Sequence, residues 1–146
     1  MNCPQGFYYA FEEQFLFNDD CEAWVHGQVH GPVYKNVYNR YSSYRFNPIE
    51  SVEDFEDSVF TTAEKAILDS IIKNFCCYSG KTLERFTHLE MPWLHTRNGL
   101  PMDAHSDRII SKELIGKYFM IVKEKFCMLT PGDIESYSKA IFEQIN

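Results

Sequence analysis

A chain of 146 residues, 45% hydrophobic and 24% charged, is long enough for one domain and too apolar for global disorder. Its formal net charge of −7, from 21 acidic and 14 basic side chains, repels phosphate backbones, and the basic residues are scattered (Arg40 with Arg45, Lys123 with Lys125), so no direct nucleic-acid partner is expected. No apolar run approaches the roughly 20 residues of a membrane span and Met1 to Gly6 carries no leader signature, so the expectation is a cytoplasmic protein without membrane contact.

The 12 Phe, 9 Tyr and 2 Trp suit a core, a protein interface, or both. Five cysteines, an odd number with no CxxC spacing, read as reduced thiols, mostly inside. In chain order, Gln5 to Phe17 places Phe7, Tyr8, Phe11 and Phe15 at helical spacing and predicts a helix buried on more than one side, closed by the turn Asn18-Asp19-Asp20. Cys21 to Val29 alternates small apolar with larger residues and predicts one short strand. Pro32 opens a helix over Val33 to Tyr44, with Tyr34, Val37, Tyr38 and Tyr41 as its apolar stripe.

Arg45 to Phe60 reads as a solvated acidic connection carrying Glu50, Glu53, Asp54, Glu56 and Asp57. Thr61 to Ser79 is a helix opened by the T-x-x-E capping box Thr61/Glu64, with Ile67, Leu68, Ile71, Ile72 and Phe75 as its buried stripe and Gly80 as its C-terminal stop. Thr82 to Glu90 is a short helix packed through Leu83, Phe86 and Leu89, and Trp93 to Arg97 continues helically beyond Pro92. Ser111 caps a helix to Cys127 with Ile115, Tyr118, Phe119, Val122 and Phe126 inside. Thr130-Pro131-Gly132-Asp133 opens a last helix faced by Ile134, Tyr137, Ile141 and Ile145. The expected fold is mainly α (α+β), a compact helical domain with a small β element after the first helix.

No catalytic constellation emerges. His26 and His30 lie on a strand and its exit without a companion carboxylate, which is not a zinc register, and His88, His95 and His105 form none. There is no G-x-S-x-G, P-loop or G-x-G-x-x-G, and Cys76, Cys77 and Cys127 fall on or beside apolar helix faces, where a buried inert thiol is expected. No enzyme, cofactor or metal is expected. A helix-turn-helix reading of Thr61 to Leu89 loses because its second helix offers only Arg85 and His88 against Glu84 and Glu90.

Three stretches in order resemble one family. Gln5-Gly6-Phe7-Tyr8-Tyr9-Ala10 looks like its YAQGWHLA helix. Glu22-Ala23-Trp24-Val25-His26-Gly27, with Gly31-Pro32-Val33-Tyr34-Lys35-Asn36-Val37-Tyr38, is similar to its EAW-x-x-GPV-x-x-x-VY segment. Thr61 to Leu68, then Leu83, Thr87-His88, Glu90 and Pro92-Trp93, is similar to its LS-x-EE…L…LTH-x-E-x-PW block. The family is that of the Panacea domain, the SocA-like antitoxin domain also met in phage-associated proteins of the GepA type. The resemblance runs over about residues 5–97, and a single such domain over 1–146 is expected.

The resemblance implies an antitoxin-like binding module that neutralises a cognate toxin by direct contact, in one branch as an adaptor to a ClpXP-type protease. The alternative is a phage-associated or regulatory adaptor without a toxin, and a remoter one an uncharacterised enzyme. Trp24, Tyr34 and Tyr38 read individually as core. Gly31, Pro32, Val33 and Tyr38 read as family-motif structural residues, with His88, Glu90 and Pro92 tying their segment to the body. The surface expected to meet a partner is the group around Trp24, His26, Tyr41 and Trp93. Two departures from the family pattern stand out. Members usually start with a further helix, so this chain is expected to be short at its N-terminus or to form a homodimer that covers its first helix. The spacing from Gly27 to Pro32 also exceeds that of the shortest family forms.

Overall fold

Helix α1, Cys3–Glu12, turns Cys3, Gln5, Gly6, Phe7 and Ala10 inward. The computed structural model describes residues 3–45, 47–49 and 56–146. Glu50, Glu53 and Asp54 of the acidic connection therefore lie outside the described residues.

α1 crosses α6 (Lys112–Lys125) at two glycines that face each other's aromatic rings. A Cβ on Gly6 would enter the Phe119 ring, and one on Gly116 would stand 2.6 Å from Cδ1 of Tyr9. The missing side chains let the two backbones approach and let each ring fill the other's notch. Around this crossing the rings interlock edge to face: Phe7 with Phe119 at 4.7 Å, Phe7 with Tyr137 at 5.8 Å and Phe126 with Tyr137 at 5.6 Å. The same cluster takes Ile67, Ile71 and Phe75 from α3 (Thr62–Phe75) and Ile134, Tyr137 and Ile141 from α7 (Ile134–Gln144).

α1 is shorter than its aromatic spacing predicts. It stops at Glu12, Glu13 takes a positive φ of 55°, and the chain folds back along the helix. Buried Gln5 holds the returning strand of chain: its Oε1 accepts from the backbone N–H of Leu16 (2.9 Å) and Phe17 (3.2 Å), and its Nε2 donates to the Phe17 carbonyl (2.7 Å). The spacing that reads as a continued helix is met instead by Phe15 stacking on Tyr9 at 4.6 Å.

The segment predicted as one strand is a hairpin. β1 (Cys21–Trp24) and β2 (Gly27–Val29) pair antiparallel with Glu22 opposite Val29 and Trp24 opposite Gly27. A third strand, β3 (Ile109–Ile110), pairs on the other side of β1, giving the order β2-β1-β3. Gly27 has φ 130°, a backbone conformation open to glycine and strained for any other residue, so the turn falls at Val25-His26.

α2 (Gly31–Tyr41) follows at once, with Pro32 in its first turn and His30 as N-cap, its Nδ1 accepting from the Val33 N–H at 3.2 Å. α3 opens on the expected capping box, Thr61 and Glu64 exchanging bonds of 3.2 and 2.7 Å. Ile72, expected inside, is exposed, because α3 buries only one turn-spaced edge. Gly80 does not stop α3. The helix ends at Phe75, and Gly80 is the first residue of α4 (Gly80–Thr87), capped by Ser79. Leu89, beyond the end of α4, is exposed, and α5 (Met91–Thr96) starts with Pro92 in its first turn. Ser111 caps α6 through the Leu114 N–H at 3.2 Å, and Thr130 with Asp133 forms a capping box ahead of α7. The protein is mainly α, with seven α-helices among the described residues and a small antiparallel sheet after the first.

The cysteines divide unlike the sequence reading. Cys3 and Cys21 are buried, whereas Cys76, Cys77 and Cys127 are exposed, since all three follow the last inward-facing turn of α3 or α6. No helix among the described residues is long and apolar enough to cross a membrane.

Candidate protein-docking surface

The hairpin is held from behind by side chains that grip its backbone. His88 Nε2 lies 2.8 Å from the Val25 carbonyl, Trp93 Nε1 donates to the Trp24 carbonyl at 2.8 Å, and Arg97 Nη1 donates to the Ala23 carbonyl at 2.9 Å. His88 stacks on Trp93 at 4.2 Å, and the Arg97 guanidinium lies 5.0 Å from the Trp93 ring centre. Arg97 also binds the carbonyls of Pro101, Met102 and Ala104, fixing the loop that leads to β3. Thr87 packs against Gly27, where a Cβ would meet its methyl at 3.1 Å. The Thr87-His88, Glu90 and Pro92-Trp93 motif is thus the seat of the Glu22-to-Gly27 motif.

Glu90 sits at the centre of this seat with no exposed surface. Its carboxylate accepts from Gln28 Nε2 at 2.7 Å and from the Tyr137 hydroxyl at 3.3 Å, and Tyr137 in turn meets the Tyr118 hydroxyl at 3.3 Å. Burial pushes the Glu90 carboxyl up to about 7, against the hydrogen bonds from Tyr137 and Gln28 that favour its charged form. The network joins β2 to α6 and α7 through one buried acid.

In front of the hairpin stands α2, and its apolar stripe faces solvent. Val33 is 55% exposed, Tyr34 47%, Val37 50% and Tyr38 58%, and α2 has no buried residue. Tyr34 and Tyr38 therefore correct the reading that made them core: their periodicity is real, but no element among the described residues covers that side. The stripe forms one wall of a groove of about 600 Å³ whose other side carries Phe17, Gln28 and Val29. Phe17 is placed there by the Gln5 clamp and meets the His30 ring edge-on at 4.9 Å.

Of the four residues expected to meet a partner, Trp24 is half-buried, packs edge-on against Tyr34 at 5.0 Å and donates from Nε1 to Glu22. Tyr41, also half-buried, lines the far end of the groove. His26 projects from the hairpin turn, its Nδ1 3.4 Å from Glu84, and does not line the groove. Trp93 is fully buried beneath the hairpin and has no surface to present, which removes it from the docking group. Its indole N–H is used on backbone, a need that any buried tryptophan has and that its place after Pro92 does not reveal. Among the family-motif residues, Gly31 and Pro32 start α2, while Val33 and Tyr38 belong to its exposed face.

Sequence reasoning missed Val33, Tyr34, Val37 and Tyr38 as surface and Gln28 and Phe17 as groove residues. The available signal was composition: the α2 stripe contains only Val and Tyr, with no Leu, Ile or Phe, and Tyr serves surfaces that are alternately wet and covered. Among the described residues no group of three or more His, Cys, Asp or Glu could hold a metal ion.

No curated protein and no solved structure shows a significant match to the chain. The model of one family, antitoxin SocA-like, Panacea domain, matches residues 3–94, from the first turn of α1 into α5, and so spans the helix, the hairpin, α2 and the seat beneath them. The chain belongs to the family of SocA-like antitoxins with a Panacea domain.

Proposed function

We propose that this protein neutralises a cognate toxin protein in the cytoplasm by direct contact through α2 and its groove, without catalysing a reaction. The observation that carries the reading is the apolar face of α2. Two valines and two tyrosines, each about half exposed, stand side by side on a family-motif helix beside a groove. A monomeric surface seldom leaves such a contiguous apolar patch without a binding role. Family membership supplies the class of partner, and the charge of −7 favours encounter with a basic one. As an extension, the bound toxin is delivered to a ClpXP-type protease, which predicts a toxin half-life that depends on both this protein and the protease.

The test is co-expression with the neighbouring genes, capture of the tagged chain and identification of a stoichiometric partner that is toxic alone and harmless with this chain. Tyr34→Ala and Tyr38→Ala leave the fold intact, because neither ring is core. Each is expected to weaken the partner about 30-fold or more, the scale of a hot-spot residue. Full neutralisation by the double variant refutes docking through α2.

A further inference from the structure

We propose that the partner protein meets α2 through an acidic, apolar segment, whose large apolar side chains cover the Val/Tyr stripe and whose carboxylates lie along its edges toward Lys35 and Arg40. The inference rests on the docking reading above and names the chemistry of the segment that docks.

Charge is segregated along this chain. Between Glu22 and Glu50 there is no carboxylate, so all 21 acidic side chains lie outside the stretch that builds β2 and α2. Lys35, Arg40 and Arg45 fall inside it. The first two border the apolar stripe of α2 on opposite edges. Residues three apart are neighbours on a helix surface, which sets Lys35 beside Tyr38 and Arg40 beside Val37. Every residue from Pro32 to Arg40 is exposed. Among the described residues no carboxylate pairs with Lys35, Arg40 or Arg45. Arg40 lies over the Tyr41 ring, 5.5 Å from its centre, at the far end of the groove.

The carboxylates nearest the groove stand at its other end and are engaged. Asp19 faces His30 Nε2 at 3.4 Å, and Glu22 accepts from Trp24 Nε1 at 2.7 Å, both beside the first turn of α2. The face therefore runs from paired carboxylates at the start of α2 to open cations along its length. A basic segment would meet a cation on each margin, and like charges brought together at an interface select against such a partner. An uncharged segment would cover the stripe and gain nothing from the rim. A single-stranded nucleic acid would bring phosphates to the cations, yet Val33 and Val37 offer no ring for bases to stack on, and Val29 lies across the groove. The net charge of −7 acts at longer range. At physiological salt it is screened beyond about 8 Å, so contact answers to the local sign even where the partner is basic as a whole.

The experiment pans a phage-displayed random peptide library against the full chain and keeps the sequences that the Tyr34→Ala/Tyr38→Ala variant does not retain. Acidic sequences with large apolar residues are expected. The most enriched one, made as a fluorescent peptide, should lose about tenfold in affinity on Lys35→Glu/Arg40→Glu, read by anisotropy, because two rim charges are reversed. Its counterpart with Lys in place of every Asp and Glu should show the opposite preference between the two proteins. Circular dichroism should be unchanged by the reversal, since both side chains are exposed. Enrichment of basic or uncharged sequences, or of none, overturns the inference, and so does equal affinity of the acidic peptide for both proteins. Tighter binding of a single-stranded DNA oligonucleotide to the same face also overturns it. A dimer in sedimentation that Tyr34→Ala/Tyr38→Ala dissociates assigns the face to a second copy of the chain, with the same consequence. If the peptide preference fails while the captured toxin still loses affinity in Tyr34→Ala and Tyr38→Ala, this inference falls alone. If toxin binding ignores both variants, the docking reading falls whatever the peptides do.

Discussion

Replacing Glu90 with Gln should make the protein more stable at pH 8 and change little at pH 5. The carboxyl is fully buried and its pKa is raised from 4.5 to about 7, a difference of roughly 2.5 units, or about 3 kcal/mol at 1.36 kcal/mol per unit. The folded state therefore holds a proton on Glu90 over a range in which the unfolded chain has released it. This group's contribution to stability is fully present below about pH 4.5 and is lost as pH rises through about 7. Glutamine keeps the shape, can still accept from Gln28 and can donate to Tyr137, but it does not titrate. Urea unfolding of the two proteins from pH 5 to pH 8 measures the effect. The difference in unfolding free energy should open in favour of Glu90→Gln as pH rises, reaching up to about 3 kcal/mol. Because the comparison is a difference, contributions common to the two proteins cancel. Parallel curves at all pH values, or a variant less stable at pH 8, would show that the hydrogen bonds to the carboxylate outweigh its burial and would refute the reasoning.

Two further predictions concern packing and reactivity. Gly6→Ala should cost about 1–3 kcal/mol by forcing the Phe119 ring aside, read as a fall in Tm, whereas Gly80→Ala, with nothing within 4 Å, should be neutral or slightly stabilising. An aromatic-disulfide reagent should titrate three thiols in the native protein (Cys76, Cys77 and Cys127) and five after denaturation, since burial raises the Cys3 thiol well above its usual value and the Cys21 thiol to about 11. Reaction of four or five native thiols would contradict the packing of α1 or β1.

The elements easiest to read in the sequence are those whose ends are fixed by short-range chemistry. Thr61 with Glu64 and Ser111 with Leu114 cap their helices by bonds that span three residues, so the sequence holds both partners. What was misread depends on groups distant along the chain. The end of α1 at Glu12 is set by Gln5 binding residues 11 and 12 positions later, which leaves no mark in the aromatic spacing. The hairpin turn is set by Gly27 and by Thr87 pressing on it, 60 residues away. Alternation along Cys21 to Val29 survives a turn at Val25-His26 and so cannot reveal one. Gly80 starts a helix where its composition suggests a stop, because Ser79 caps the helix that follows. The site shows the same limit more sharply. Periodicity reports that one side of α2 is apolar but not whether anything lies against it, and Trp93 looks like a surface anchor until its neighbours are known.

Three side chains of the seat beneath the hairpin hold main chain and ignore the identity of the residues they grip. His88, Trp93 and Arg97 meet three consecutive carbonyls, those of Val25, Trp24 and Ala23, which every residue type offers. The outward side chains at positions 24 and 26 can therefore change without loosening their anchorage, and so can the solvent-facing positions of α2, which bury nothing. The outer shell can thus be rewritten while the inner grip stays in place. A few substitutions would then be enough to reshape the proposed docking surface on an unchanged scaffold.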